Sequence, residues 1–267
     1  MRSWEMSSIT TWLNRLPAPV LYVSFALAWT ALTVGVDVVM RRRLGESTRA
    51  STGQTASTML TVLATLYAIL IAFVIVQGWS NLGDAQSQVG KEATALVEMF
   101  EDSHALPPTA ARAIQSAERQ YARSVLADDW SSMAHERKPD ARTTAAFHHL
   151  FATVQAVRVE GRDEPAFYQE AVARLNDVAG ARRARLDAAR GTTPTPLYVL
   201  LIAGGVGVVL VAAVLDSRNR RAHLAIVSLV AVIIGLNLAL VVSFDHPFSG
   251  SVHVTKEPIQ EMLRTST

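Results

Sequence analysis

The sequence predicts an all-α integral membrane protein with four transmembrane helices, arranged as two hairpins on either side of a largely helical, water-soluble middle segment. Half of its 267 residues are hydrophobic and only 18% are charged, which is more apolar than an average soluble domain. The apolar residues concentrate in four stretches, each long enough as a helix to cross a hydrocarbon core of roughly 30 Å. Proline and glycine punctuate the segment between the second and third stretches, as in a domain of several short helices.

The four apolar stretches set the order of the membrane elements. A polar segment, residues 1–16, is expected to lie at the membrane interface. The apolar stretch after it is too long for a signal peptide and is expected to remain as a span. Short polar loops join the stretches in pairs, so we expect hairpins at residues 17–79 and 196–244. The approximate predicted spans are residues 17–40, 55–79, 197–215 and 224–244.

The middle segment, residues 80–195, is predicted to be helical. The apolar rhythm runs without a break from the second span to Pro107, which predicts one long helix that leaves the membrane. Pro107 and Pro108 suit the first turn of the next helix. Helical spacing predicts two more helices, and the last ends about five residues before Pro196. That helix should therefore lead almost directly into the third span.

A polar stripe marks one side of the second span. Thr58, Thr61 and Thr65 recur at intervals of three and four, and Ala68 and Ala72 follow on the same face. Such a stripe should avoid lipid. It can line a water-filled path, or it can allow two helices to pack closely while the threonine hydroxyls bond to their own helix or to a neighbour.

The other spans carry few polar or small residues. Ala203 and Gly207 form a pair of small residues, four apart, that favours close helix contact. Asn237 lies deep in the fourth span and needs a hydrogen-bond partner on another helix or another protomer. Asp37 lies one turn before Arg41, and we expect the two side chains to form an ion pair near the membrane interface.

Three arginines, Arg182, Arg183 and Arg185, lie shortly before the third span. They can form a solvated or lipid-facing surface, or they can pair with nearby aspartates or with acidic residues of the long second helix. A third interpretation is a positive ring that attracts inorganic anions when several copies assemble around an axis.

Several function classes lack support in the sequence. There is no cysteine, and the seven histidines form no HxxxH or HExxH pair, so we predict no metal site. No GxSxG, phosphate-loop or dinucleotide motif is present, so we predict neither an enzyme nor a cofactor. With 25 basic and 23 acidic residues, the composition gives no reason to expect nucleic-acid binding.

The C-terminal segment, residues 245–267, begins with a distinctive string, DHPFSG. Pro247 and Gly250 predict a sharp turn, and the Asp245 carboxylate can accept backbone N–H bonds there. The chain is then expected to pack back on the protein through a short helix.

These features together resemble the DUF4239 family of bacterial membrane proteins, which are described as bestrophin-like. The resemblance extends from about residue 55 to residue 263, and Phe244 replaces a leucine that is usual in the family. The matching residues are Trp79, Val89, Glu92 and Ala93 in the long second helix, Tyr121 and Trp130 in the middle segment, the run Ala181–Leu186, and the run Phe244–Gly250.

The resemblance implies a fold and a function. The second and third membrane helices would extend into a helical soluble layer. Five copies would surround an axial pore that is lined by the second helix, with Phe73 near its middle, and that conducts anions. The sequence offers neither the proline expected at a bestrophin constriction nor a dense acidic clasp for calcium.

Membrane orientation and function each leave alternatives. The arginine-rich short loops favour a cytoplasmic position for those loops, whereas the resemblance implies that the soluble layer and both termini are cytoplasmic. We expect a bacterial inner-membrane protein with a cytoplasmic soluble layer, bound to the lipid bilayer and to copies of itself. The alternative to a channel is a non-conducting scaffold or stress sensor whose soluble layer binds a partner. A transporter is less favoured because no span is visibly broken and no inverted repeat is evident.

Overall fold

The structure, a computed structural model, describes residues 17–43, 46–158, 164–191, 193–215, 219–250 and 252–266. Within residues 46–52 and 164–165 the backbone alone is described. The predicted interfacial segment, residues 1–16, lies outside the described residues. The described helices are α1 (Ala18–Arg43), α2 (Glu46–Ser103), α3 (Pro108–Ser124), α4 (Trp130–Glu136), α5 (Ala141–Gln155), α6 (Glu164–Ala189), α7 (Thr195–Val214), α8 (Arg220–Phe244) and α9 (Glu257–Thr265).

The chain divides into two compact units. The first, which we call the membrane unit, comprises Met1–Ser80 and Thr192–Asp245, and the second unit comprises Asn81–Gly191 and His246–Thr267. Helices α1, α7 and α8 and the apolar part of α2 are each long and apolar enough to cross a membrane. The prediction of four membrane helices is therefore confirmed.

Helix α2 is continuous over 58 residues, or about 87 Å at the rise of an α-helix. Its N-terminal part belongs to the membrane unit and its C-terminal part to the second unit. The absence of any break signal before Pro107 thus predicted this long helix correctly.

Helices α1 and α8 pack against each other in antiparallel directions. His223 Nε2 lies 3.2 Å from Asp37 Oδ1 near one end of the pair. Farther along, a Cβ atom on Gly235 would lie only 2.7 Å from the carbonyl oxygen of Phe25. The absence of a side chain at Gly235 therefore allows the two backbones to come this close.

The second unit is a bundle of helices around a hydrophobic core. One helix starts at Pro108 as expected, with Pro107 before it, and α5 starts after Asp140, whose side chain accepts bonds from the N–H groups of Arg142 and Thr143 at 2.7 and 3.1 Å. The core draws its largest buried apolar side chains from α2, α3, α4, α5, α6 and α9: Leu96, Met99, Ile114, Tyr121, Met133, Leu150, Leu175, Ile259 and Met262.

Helix α6 ends at Ala189 and α7 begins at Thr195, so α6 leads almost directly into the third span as predicted. The two helices are nevertheless separate. Gly191 has a φ of 80°, which ends an α-helix, and Pro194 immediately precedes α7. The extension of the third membrane helix is therefore a distinct helix joined by a short linker, in contrast to the unbroken α2.

Candidate functional site

The predicted polar stripe lies on an exposed face of α2 in the membrane unit. Thr58, Thr61 and Thr65 are all exposed. Their hydroxyls donate to backbone carbonyls one turn earlier, at 3.2, 3.1 and 2.7 Å respectively. Each hydroxyl therefore uses its only proton within α2 and presents oxygen lone pairs outward.

The exposed face is opposite the side of α2 that packs in the membrane unit. Tyr67, Ile71 and Val74 are buried in the apolar cluster of that unit. At roughly 100° per residue, they lie on the far side of the helix from Thr58 and Thr65. The stripe therefore remains open to whatever surrounds the membrane unit.

Phe73, predicted near the middle of the pore, is 71% exposed, and it is among the most exposed large apolar side chains of the described residues. It lies about two turns beyond Thr65, beside the stripe rather than in line with it. An exposed aromatic ring at this position can contact lipid, a second copy of the chain or the wall of a pore.

The three arginines that were predicted to attract anions have different surroundings. Arg183 is exposed and donates to the Ala179 carbonyl at 3.2 Å. Arg182 is buried; it donates to the Thr144 hydroxyl at 3.0 Å, and its guanidinium lies 5.0 Å from the centre of the Phe147 ring. Two neighbouring arginines on α6 thus have different surroundings, one buried and one exposed.

Arg185 is fully buried at the centre of a charged network in the second unit. Its Nε lies 2.6 Å from Glu92 Oε2 and its Nη1 lies 2.9 Å from Asp129 Oδ2. Tyr121 donates a short hydrogen bond to Glu92, and the backbone N–H of Asp140 donates to Asp129 at 2.8 Å. The expected alternative, pairing of an arginine with an acidic residue of the long second helix, is therefore confirmed for Arg185 and Glu92.

The network keeps Arg185 charged. Burial alone would lower the pKa of Arg185, but the surrounding negative groups, Glu92 foremost, raise it above its usual range. Burial, and then the Glu92 carboxylate, raise the pKa of Tyr121 well above its ordinary value, so its hydroxyl remains a donor. The positive charge of Arg185 is matched by two carboxylates, which leaves little of it to attract a free anion.

A π-helical turn, Val125–Asp129, positions one of these carboxylates. The Trp130 N–H bonds to the Val125 carbonyl, five residues earlier, so the turn holds one more residue than an α-helical turn. Asp129 and Trp130 are both buried as a result of this register, and Trp130 packs edge-on against Phe248 at 5.4 Å between ring centres. Nothing in the sequence predicted the π-turn.

Glu118, on α3, is a second buried acid that sequence reasoning missed. Its side chain is fully buried, and neither carboxyl oxygen has a hydrogen-bond partner among the described residues. Burial raises its pKa to about 9, against a smaller lowering by Arg119. Glu118 is therefore protonated at neutral pH, which reduces the cost of burying it.

The chain turns after the fourth span, at residues 245–250. An N–H group that the Asp245 carboxylate accepts, at 2.9 Å, belongs to Thr193 in the membrane unit and not to the turn itself. In the second unit the Pro247 carbonyl accepts the Val254 N–H at 2.7 Å, and Gly250 has a φ of 82°. The chain then packs into the core through Val254 and continues into α9.

The residues predicted to mediate helix packing contribute unequally. Ala203 is exposed, and a Cβ on Gly207 would have ordinary contact, at 3.4 Å, with Leu63. The tighter contacts belong to their neighbours Gly204 and Gly205, where a Cβ would clash with the rings of Tyr67 and Trp29 at 2.7 and 2.8 Å.

Asn237 donates to the Ile233 carbonyl of its own helix at 2.8 Å, so within this chain its amide bonds locally. By contrast, the predicted pair of Asp37 and Arg41 is confirmed, with Arg41 Nε at 2.8 Å from Asp37 Oδ2. In the described residues, no group of three or more histidines and acids is arranged to hold a metal ion.

Comparisons with known proteins agree with this architecture. Residues 27–259 match the family model of the Bestrophin-like domain. A crystal structure of a bacterial bestrophin homologue from Klebsiella pneumoniae with a point mutation is similar, with a TM-score of 0.63 and 12% identity over 90% of this chain and 96% of that one. A second similar crystal structure, of a membrane protein variant, has a TM-score of 0.66 and 14% identity over 91% of this chain and 95% of that one. No curated protein matches the sequence.

Proposed function

The chain belongs to the Bestrophin-like domain family, and on that premise we propose that this multi-pass membrane protein is an oligomeric channel whose axial pore is lined by α2. Within the family we assign it to the DUF4239 branch, on the motifs quoted above. The proposed assembly is a homo-oligomer in a bacterial inner membrane, with five copies as the resemblance implies and with the second unit in the cytoplasm.

The observation that carries the proposal is the outward face of α2 in the membrane unit. Thr58, Thr61 and Thr65 are exposed there, on the side away from the packed residues of the same helix. In hydrocarbon their outward oxygens would lack partners. If copies of α2 surround an axis, those oxygens instead contact water, and Phe73 narrows the path.

We propose that inorganic anions are the ions conducted. Arg183 is the exposed arginine of the three that were considered, because Arg182 and Arg185 are buried and bonded within the second unit. Any attraction of anions by this cluster therefore depends mainly on Arg183. Replacing Arg183 with glutamine should shift the reversal potential in a salt gradient toward that of a less anion-selective pore.

Cysteine accessibility tests the lining of the pore directly, because the chain contains no cysteine and a single introduced thiol is unique. Purified Thr61→Cys protein should give a current in planar bilayers that a charged, water-soluble thiol reagent blocks. The matched control is Leu27→Cys on α1, where the native side chain is 64% exposed. Its thiol should face lipid, and its current should not change.

The outcome of the recordings separates the alternatives. A silent bilayer with correctly assembled protein would reject the channel. Block at Leu27→Cys but not at Thr61→Cys would place the pore on another helix.

A second candidate function is a non-conducting membrane scaffold or stress sensor. The threonine hydroxyls favour it in one respect, because each already donates its proton to its own helix, as threonines do where two membrane helices pack closely. In that case Thr61→Cys would form a disulfide between copies upon oxidation, would resist the water-soluble reagent and would carry no current. An unchanged phenotype for Thr61→Leu would support the same conclusion.

A further inference from the structure

One end of the membrane unit gathers basic side chains from two helices. The antiparallel pairing of α1 and α8 brings Asp37 of α1 within 3.2 Å of His223 of α8. Arg41 lies one turn beyond Asp37, and α8 begins one turn before His223. The arginines at the end of α1 and those at the start of α8 therefore lie at the same end of the membrane unit: Arg41, Arg42, Arg43, Arg220 and Arg221.

Negative charge is scarce on these two helices. Asp37 is the only acidic residue in the sequences of α1 and α8, and it is already bonded to Arg41 and His223. Arg42, Arg43, Arg220 and Arg221 are exposed and form no ion pair with a described residue.

Arg41 supplies a second, independent sign of a missing partner. Its Nε lies 2.8 Å from Asp37, but its Nη2 is buried without a hydrogen-bond partner among the described residues. A buried guanidinium nitrogen costs free energy unless an acceptor satisfies it. Asp37 does not satisfy this nitrogen, and the Arg41 side chain is 22% exposed, so an anionic group at this end of the unit could bond it.

Apolar surface adjoins the basic end. Val39 on α1 is 54% exposed, and Ile226 and Leu229 on α8 are 65% and 61% exposed. These side chains lie within about two turns of the arginines, on the membrane-spanning side of them. A ligand that fits both features carries a phosphate and an acyl chain.

We propose that this end of the membrane unit binds an anionic phospholipid, with the headgroup phosphate held by Arg41, Arg42, Arg220 and Arg221. Guanidinium groups donate in a planar fork that matches phosphate oxygens. The ends of membrane-spanning helices lie at headgroup depth, and basic residues there attract anionic lipid. The acyl chain lies along Val39 and Ile226. The site is formed by α1 and α8 and does not depend on conduction along α2.

The test compares lipid affinity in full-length protein. Detergent-solubilised protein is titrated separately with dioleoyl phosphatidylglycerol, dioleoyl phosphatidylcholine and inorganic phosphate. Native mass spectrometry counts the molecules bound to each protein complex. Phosphatidylglycerol should bind with the highest affinity. The triple variant Arg42→Gln/Arg220→Gln/Arg221→Gln should bind it about a hundredfold more weakly, at roughly fivefold for each arginine.

A matched variant controls for total charge. Arg112→Gln/Arg123→Gln/Arg190→Gln removes the same charge from exposed arginines of the second unit and should retain native affinity. Because all six arginines are exposed, both variants should melt close to the native temperature without added lipid.

Three outcomes would overturn the proposal. The first is equal binding of phosphatidylcholine, whose phosphate is neutralised by a choline cation; it would show that the net negative charge of the headgroup is not recognised. The second is complete competition by inorganic phosphate at the affinity of the lipid, which would assign the site to a free anion. The third is an equal loss of affinity in the two triple variants, which would indicate non-specific attraction.

Discussion

The two units of this protein bury their helices by different means. In the membrane unit, glycines allow close contact: Gly235 admits the backbone of Phe25, and Gly205 admits the ring of Trp29. In the second unit, an apolar core surrounds Arg185 and its two carboxylates. Lipid tails are as apolar as the side chains of a membrane helix. In a membrane, only shape and a few polar contacts can therefore specify which helix faces pack together. In water the hydrophobic effect provides the attraction, and a buried ion network can define one arrangement of the helices.

The largest effect expected at a single pH tests the charged network. Arg185→Met should lower the free energy of unfolding of the second unit by about 3–5 kcal/mol, because Glu92 and Asp129 would remain buried without a counter-charge. Hydrogen exchange of the second unit in detergent measures the loss. Arg183→Met, two residues away and exposed, should change stability by no more than about 0.5 kcal/mol.

A conservative variant sharpens this test. Arg185→Lys keeps the charge but cannot bond Glu92 and Asp129 together as a planar fork, so it should recover only part of the loss. Equal stability of Arg185→Met and the native protein would show that the network is not needed to hold the second unit together.

The next effect concerns Glu118, a buried acid of α3 whose carboxyl oxygens have no hydrogen-bond partner among the described residues. Its pKa of about 9 in the folded protein is above the ordinary value of 4.5, so folding favours the protonated acid. The contribution is fully present below about pH 4.5 and is lost as pH rises toward 9. Stability of the second unit should therefore fall by up to about 1.4 kcal/mol per pH unit across this window.

Glu118→Gln should remove that pH dependence, since an amide does not titrate. Unfolding free energies at a series of pH values measure the slope, and Glu136→Gln, at an exposed position on α4, should retain it. An identical slope in the native protein and in Glu118→Gln would contradict the assignment of a buried, protonated acid.

The stability of the membrane unit should depend instead on how closely its helices can pack. Gly235→Ala places a methyl group 2.7 Å from the Phe25 carbonyl oxygen and should lower the stability of the membrane unit by about 1–3 kcal/mol. Gly35→Ala, on α1, meets nothing within 4 Å and should be neutral or stabilising by up to about 1 kcal/mol. Thermal unfolding in detergent distinguishes the two. Similar destabilisation by both substitutions would show that close contact at Gly235 is unimportant.

The smallest expected effect lies at a helix end in the second unit. Asp140→Ala removes the acceptor for the N–H groups of Arg142 and Thr143 and should cost about 1 kcal/mol. Asp187→Ala breaks only an exposed pair with Arg190 and should cost close to nothing. Denaturant unfolding measures both, and equal values would indicate that the cap at Asp140 contributes little.

Much of the fold could be predicted because its signals are long and local. Each membrane span is a run of apolar residues. The 58-residue helix α2 was predictable because apolar residues recur at helical spacing until Pro107, the first residue that interrupts the pattern. The turn at Pro247 and Gly250 could also be predicted, because proline restricts the backbone angle φ and glycine permits positive values of φ.

The arrangement of the charged network could not be predicted in the same way. Arg183 and Arg185 look alike in the sequence, yet one is exposed and the other is buried against Glu92, 93 residues earlier. Which arginine faces inward depends on how distant helices pack. Gly235 poses the same difficulty, because a single glycine in an apolar helix does not reveal that another backbone will lie against it.

The π-turn at Val125–Asp129 holds one residue more than an α-helical turn, so a single deletion within it can be absorbed. Deleting Leu126 would restore α-helical spacing and leave the later positions on nearly the same faces of the helix, so Trp130 would still face Phe248. A deletion elsewhere in α3 or α4 has no extra residue to absorb it and would rotate the later positions by about 100° relative to the earlier ones. Related chains that are one residue shorter in this helix should therefore have lost that residue within the π-turn.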